Sequence, residues 1–420
     1  MNTLTWIFII ALCISAALRG WLAGRQIRHV RRKRVRVPDA FVGGIELAAH
    51  QKAADYTVSK TRFSLLGLAL DLALALLWTL GGGLALLDAF WRQADLNLLN
   101  TGVLVIGSFA LINAAIELPL GAYSTFAIEA RYGFNRTRVK TYLLDLFKLL
   151  LLAVVLGVPL LYAVLWLMQR SGRLWWLYVW ALWLGFSLLI TWAYPVIIAP
   201  LFNKFSPLTD ASLKQRIESL LARCGFTSRG VFVMDGSTRS AHGNAYFTGF
   251  GRNKRIVFFD TLMDKLAAEE IEAVLAHELG HFRLKHVIQR LVVTASMSLA
   301  GLAILGWLAA NAWFYHGLGV PQASAYMALL LFTLLAPPFL FLLEPLSSAW
   351  SRRHEFEADA YASRQTDAMA LIRALVKLYR DNATTLTPDP LHSACHDSHP
   401  PALSRIARLQ TLSDTVHRTP

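Results

Sequence analysis

The chain has 420 residues, 55% of them hydrophobic and 16% charged, with a mean hydropathy of +0.44. A charged fraction so far below the roughly 25% of soluble domains excludes disorder, collagen-like repeats and a disulfide-stapled miniprotein, and it places the chain in a membrane. Lys+Arg 41 against Asp+Glu 27 gives a net charge of +14, which fits basic cytoplasmic loops better than a nucleic-acid-binding surface. Cys13, Cys224 and Cys395 lie far apart without metal-knuckle spacing, so no disulfide framework is implied.

Crossing a bilayer takes about 20 mostly apolar residues. Stretches of that kind occur at roughly 4–23, 63–90, 102–127, 142–168, 174–200, 288–314 and 326–348. The first does not have the form of a signal peptide. MNTLTW before it has no positive charge and the basic cluster follows it, so it reads as an uncleaved anchor with its N-terminus outside. Segments 24–62 and 128–141 carry ten and four Lys/Arg, whereas the loops near 91–101, 169–173 and 315–325 carry one, two and none. The positive-inside rule then puts 24–62, 128–141, 201–287 and the C-terminus in the cytoplasm. The run Arg31-Arg32-Lys33-Arg34 is explained by this topology, without a nucleic-acid partner. Asp71, Glu117 with Pro119, and Glu344 after Pro337-Pro338 fall inside or at the ends of spans. Charges at that depth either line a water-filled chamber or pair locally near span ends, as Glu344 and Asp145 with Lys148 could do.

After Pro200 the composition turns polar. Residues 207–224 read as an amphipathic helix with Leu213, Ile217, Leu220 and Leu221 on one face. Val231–Met234, Ala245–Phe250 and Arg255–Asp260 read as about three short strands, with a hairpin turn at GFGRNKR. A helix is expected from about 261, capped by Thr261 and Asp264, running without a break into the sixth span. The chain thus divides into 1–62 (first span and basic loop), 63–200 (spans two to five), 201–287 (the catalytic segment), 288–350 (spans six and seven) and 351–420 (a C-terminal segment).

The catalytic segment contains His277-Glu278-Leu279-Gly280-His281. Two His at i and i+4 share one helix face, so their imidazoles can converge on one Zn²⁺ per chain. Glu278 beside the first His can take a proton from an attacking water and pass it to a leaving amine. The flanking Glu269, Glu270, Glu272, Arg283 and Lys285 put the motif at the membrane surface and not within an apolar 20-mer. A catalytic zinc takes three protein ligands. The best third candidate is Glu355 in Arg352-Arg353-His354-Glu355-Phe356-Glu357-Ala358-Asp359, just past the seventh span. Asp359, on the same helix face, can accept the N–H of a ligating His and fix its tautomer. His354 is a weaker ligand candidate, Glu357 reads as a solvated charge, and His286 reads as a surface or capping histidine.

These residues resemble those of the type-1 CAAX prenyl proteases, integral-membrane zinc endopeptidases of the gluzincin class. The resemblance extends over nearly the whole chain. It includes Gln51, Tyr56, Lys60 and Phe63; Glu129 with Tyr132-Gly133-Phe134-Asn135; Pro200-Leu201-Phe202-Asn203-Lys204; Asn244-Ala245-Tyr246-Phe247; and His399-Pro400 with Arg405-Ile406. It implies a mainly α fold, in which a seven-span helical bundle encloses a polar chamber and carries a cytoplasmic zincin-type α+β protease domain. His277, His281 and Glu355 are then the zinc ligands and Glu278 the catalytic base. Ala245, Tyr246 and Phe247 form an edge strand that an extended substrate can join. Asn244 polarises the scissile carbonyl, and His399 donates to the oxyanion, with Arg405 orienting His399 or the substrate. The expected partners are a polypeptide substrate, prenylated or otherwise membrane-associated, and the lipid bilayer. The chain ends His417-Arg418-Thr419-Pro420 with no endoplasmic-reticulum retention signal, and its Arg- and Ala-rich style suggests a bacterial inner membrane. A bacterium has little endogenous CAAX prenylation, so a different polypeptide is the expected physiological substrate. The rival function is a membrane transport or scaffold protein with a structural metal, but such a site is usually closed by a fourth side chain.

Overall fold

The computed structural model describes residues 1–228, 230–248 and 255–416. Among them, seven helices are long and apolar enough to cross a membrane: Thr3–Lys33, Leu47–Trp78, Leu98–Glu129, Val139–Arg170, Gly172–Phe202, His286–Ala309 and Ala325–Gln365. The second span ends twelve residues before the hydropathic stretch 63–90 does. Gly81-Gly82-Gly83 stop it there, with Gly82 in the left-handed region at φ 79°, where only glycine sits without strain. A Cβ on Gly81 or Gly83 would lie 2.8 or 2.9 Å from the Leu77 carbonyl oxygen. The Leu-rich sequence beyond forms a separate helix, Gly83–Arg92. Three spans contain a π-helical turn, at Ser124–Glu129, Ala153–Gly157 and Tyr194–Ile198. Pro195 lies in the last of these and Pro119 and Pro159 lie close to the others, where a missing N–H interrupts the α-helical ladder.

The intramembrane charges lie along cavities between the spans and in local pairs. Arg19, Asp71, Asn113 and Glu117 line one cavity between spans with Thr333 and Pro337. Arg19 and Asp71 also line a neighbouring cavity with Glu344, His392 and His396. Glu344 pairs there with His396 at 3.1 Å and Arg19 at 3.8 Å. Asp145 is held chiefly by Arg239, at 2.8 and 3.0 Å, with Lys148 further off at 3.9 Å.

The polar segment forms a mixed sheet of four strands, β1 (Phe205–Pro207), β2 (Val231–Met234), β3 (Ala245–Thr248) and β4 (Arg255–Phe259), in the order β1-β2-β4-β3. β2 and β4 run parallel, and β1 and β3 are antiparallel to their neighbours. The three-residue β1 is too short to show a period in sequence. The expected turn at 249–254 and the last two residues of the expected strand 245–250 lie outside the described residues. Helix Ala211–Cys224 is N-capped by Asp210 and buries Leu213, Ile217, Leu220 and Leu221. That face shares a core with Ile256 and Phe258 of β4 and with Leu275 and Leu279 of the motif helix.

The motif helix spans Ala268–Arg283 and does not continue into the sixth span. The chain breaks at Leu284-Lys285, with Lys285 at φ 60°, and a new helix starts at His286. Neither Thr261 nor Asp264 caps the motif helix. Thr261 donates to the His242 carbonyl, and the cap is made by Glu270 Oε2, which accepts from the Ala267 N–H at 2.8 Å. The sequence hides the break because Leu, Lys and His all tolerate a helix. A non-glycine residue in the left-handed region costs about 1–2 kcal/mol. Lys285→Gly is therefore expected to stabilise the protein by about 1 kcal/mol after the extra unfolded-chain entropy is subtracted. The check is thermal unfolding in detergent, and Lys285→Val should lower the midpoint.

A candidate metal centre between two packed helices

Two helices build the site. Ala268–Arg283 carries His277, Glu278 and His281, and Glu344–Gln365 carries Glu355 and Asp359. They come close together at Gly280, where a Cβ would lie 3.1 Å from Ala358 Cα and 3.2 Å from the Ala358 carbonyl oxygen. Ala358 itself is fully buried. A glycine inside a helix lowers its stability; here it lets one backbone approach the other so that Glu355 reaches the histidines.

His277 Nε2 is 3.2 Å from His281 Nε2 and 3.5 Å from Glu355 Oε2, and His281 Nε2 is 3.3 Å from Glu355 Oε1. Ligand atoms about 2.0–2.2 Å from a tetrahedral Zn²⁺ stand about 3.3–3.6 Å apart, so these separations suit one ion. Glu355 is buried and its Oε2 has no aligned hydrogen-bond donor among the described residues. His399 Nδ1 lies 2.7 Å from that oxygen but out of line with it. Burial and Arg405 oppose a charged His277, yet the neighbouring carboxylates of Asp359 and Glu355 outweigh them and push its pKa up to about 9.

His277 Nδ1 sits 2.9 Å from Asp359 Oδ1. With Nε2 turned to the triad, Nδ1 carries the hydrogen and donates it to the carboxylate. Arg405 is buried against the same Asp359, donating from Nε and Nη2 at 2.7 Å each, and its Nη2 lies 3.1 Å from His277 Nδ1. Its guanidinium thus grips Asp359, and its Nη1 lies 3.7 Å from Glu355 Oε2. Glu278 is half-buried and has no side-chain hydrogen bond or ion pair among the described residues.

His399 is exposed and borders the triad through Glu355. Asn244 is exposed at the head of β3, where its Oδ1 accepts from the Ala245 N–H; no contact joins it to the triad among the described residues. Ala245, Tyr246 and Phe247 pair with Phe258, Val257 and Ile256 on one side only, so β3 is the sheet edge. The Phe247 ring packs on Phe282 of the motif helix at 4.5 Å. Tyr56 donates to Glu129 at 2.5 Å, and His242 stacks on Phe134 at 4.2 Å. Asn135 bridges Ser240. These contacts tie the second and third spans to the segment leading into β3.

Two sequence expectations need correction. His286 is not a surface histidine: it is 1% exposed and its Nδ1 lies 3.0 Å from His281 Nδ1. Glu357 is not merely solvated, since it pairs with His286 at 3.0 Å and with Arg353 at 2.9 Å. On an unbroken helix His286 would lie about 140° around the axis from His281. The break at Lys285 brings it back. His354 is buried but stays out of the triad, with its Nε2 on Gln289 Oε1 at 3.0 Å.

The chain is similar to known proteins over nearly its whole length. Residues 26–204 match the family model described as CAAX prenyl protease N-terminal, five membrane helices, and residues 207–413 match that of peptidase family M48. The chain is 33% identical to the CAAX prenyl protease 1 homolog of Oryza sativa, covering 91% of this chain and 92% of that one. It is 32% identical to CAAX prenyl protease 1 of Saccharomyces cerevisiae, covering 95% and 93%. The crystal structure of S. mikatae Ste24p superposes with a TM-score of 0.89 at 31% identity, covering 97% of this chain and 99% of that one.

Asp359→Asn removes the nearer counter-charge of the buried Arg405 and leaves it only Glu355, at 3.7 Å. We expect it to cost about 3–5 kcal/mol of stability and about 10–100-fold in zinc affinity, measured by thermal unfolding and by chelator competition.

Proposed function

Because the chain belongs to peptidase family M48, in its CAAX prenyl protease branch, we propose that His277, His281 and Glu355 are its zinc ligands and Glu278 its general base. The protein is a zinc metalloendopeptidase of the membrane that acts on polypeptides. The observation that carries the residue assignment is the near-tetrahedral spacing of three ligand atoms beside an unpaired Glu278. A structural metal in a transporter or scaffold remains the weaker reading of such a site.

Zinc supplies the Lewis acid that polarises the scissile carbonyl and acidifies the attacking water. Glu278 accepts that water's proton and returns it to the departing amine. Asp359, itself held by Arg405, keeps His277 in the tautomer that presents Nε2. A substrate segment adds to the open edge of β3 through the backbone of Ala245, Tyr246 and Phe247, a mode that gives affinity through main-chain hydrogen bonds. Asn244 at the head of that strand polarises the carbonyl. His399, exposed beside Glu355, swings over the site and donates to the oxyanion.

The substrates we propose are CAAX-type or other membrane-associated polypeptides, prenylated or not. The charged cavities between the spans, extended, form a polar chamber next to the site. Fourteen basic residues on one side against three on the other support an N-terminus outside and a protease domain and C-terminus in the cytoplasm, and the Arg- and Ala-rich sequence favours a bacterial inner membrane.

Hydrolysis by detergent-purified protein tests the assignment. Glu278→Gln should lower the rate by about 100–10,000-fold while zinc stays at one per chain. Unchanged hydrolysis would refute the base assignment. With a farnesylated CAAX peptide and its unprenylated twin, faster cleavage of the farnesylated one supports lipid recognition, and equal cleavage supports general membrane-protein turnover.

A further inference from the structure

A second cluster lies on the far side of His281 from the triad. His286 Nδ1 is 3.0 Å from His281 Nδ1, and His286 Nε2 is 3.0 Å from Glu357 Oε2. The His354 ring lies parallel to that of His286 at 3.9 Å, with 6° between the planes. His286, His354 and Glu357 are close enough together to suggest a second metal site. The ring geometry argues against it. Imidazole lone pairs lie in the ring plane, so two parallel rings stacked face to face cannot aim at one ion. His354 Nε2 is also engaged by Gln289 Oε1 at 3.0 Å.

Hydrogen-bond accounting assigns the protons instead. His281 presents Nε2 to the triad, so its Nδ1 carries a hydrogen. A contact between two ring nitrogens needs one donor and one acceptor. His286 Nδ1 is therefore the acceptor, its Nε2 carries the hydrogen, and Glu357 accepts it. His286 is 1% exposed, so no water competes for this arrangement. The two histidines of the motif are thus held differently, His277 directly by the Asp359 carboxylate and His281 through a neutral imidazole backed by a carboxylate.

We propose that His286 is a positioning residue for zinc binding, holding His281 in the ligating tautomer through a His281–His286–Glu357 hydrogen-bond chain. This rests on the reading of His281 as a ligand. Partners of this kind typically contribute about 10–100-fold to metal affinity.

The test is zinc affinity of the full-length protein in detergent, by chelator competition, with thermal unfolding of the zinc-stripped protein alongside. His286→Leu should weaken zinc about 10–100-fold. His286→Asn, whose Oδ1 can stand in for the Nδ1 acceptor, should recover most of that loss. Glu357→Gln still accepts from His286 and should bind zinc like the unmodified protein. Glu357→Leu frees His286 to take the opposite tautomer, which sets donor against donor, and should weaken zinc. Leu and Asn variants of His286 with equal affinity and unaltered unfolding would overturn the proposal. If His286→Leu does not fold, equal affinities for Glu357→Leu and Glu357→Gln would do the same. His281→Ala separates the two levels: zinc affinity equal to that of the unmodified protein refutes the ligand assignment, whereas weakened zinc with indifferent His286 and Glu357 variants refutes only the chain.

Discussion

The approach of two helix backbones at Gly280 is the constraint on which the site depends. His277 and His281 come from one helix, and Glu355 comes from another that the chain reaches only after two membrane crossings. Side chains as short as Glu and His converge to 3.2–3.5 Å only if the helices carrying them are pressed together. The buried neighbours of Gly280 achieve this: Ala358 is fully buried, Tyr361 and Ala362 belong to the same core, and Leu275 and Leu279 face them from the motif helix. Packing in the polar domain is therefore what sets ligand geometry.

Charge is layered around that contact. The Glu355 carboxylate faces the histidines, Asp359 stands behind His277, and Arg405 stands behind Asp359. Arg405 offsets both buried carboxylates, donating to Asp359 and lying 3.7 Å from Glu355, which limits the desolvation cost of an ionic centre this deep. The last helix, Ala402–Val416, exists in this account to deliver Arg405. That helix thereby contributes to the metal site without a ligand of its own.

Much of this was legible in the sequence, for identifiable reasons. HELGH carries its geometry in its spacing, because i and i+4 share a helix face. Glu355 and Asp359 are legible for the same reason, and the spans show through apolar length alone. What stayed hidden depends on single backbone torsions or on distant packing. Lys285 at φ 60° breaks a stretch that reads as one helix, and that break turns His286 toward His281. Gly82 ends the second span within a Leu-rich run. β1 is three residues long and is defined only by its pairing with β2. The place of Arg405 on Asp359 also follows from tertiary packing that no local pattern encodes.

The central claim is that two imidazoles and one carboxylate, from these two helices, hold the zinc. X-ray absorption at the zinc edge of the purified holoprotein tests it most directly. The account predicts a first shell of two imidazole nitrogens completed by oxygen donors at about 2.0–2.2 Å, falling to one imidazole in His281→Ala if zinc is retained at saturating concentration. A third imidazole or a sulfur in the first shell would contradict it, because His399, His286 or a cysteine would then occupy the position assigned to Glu355.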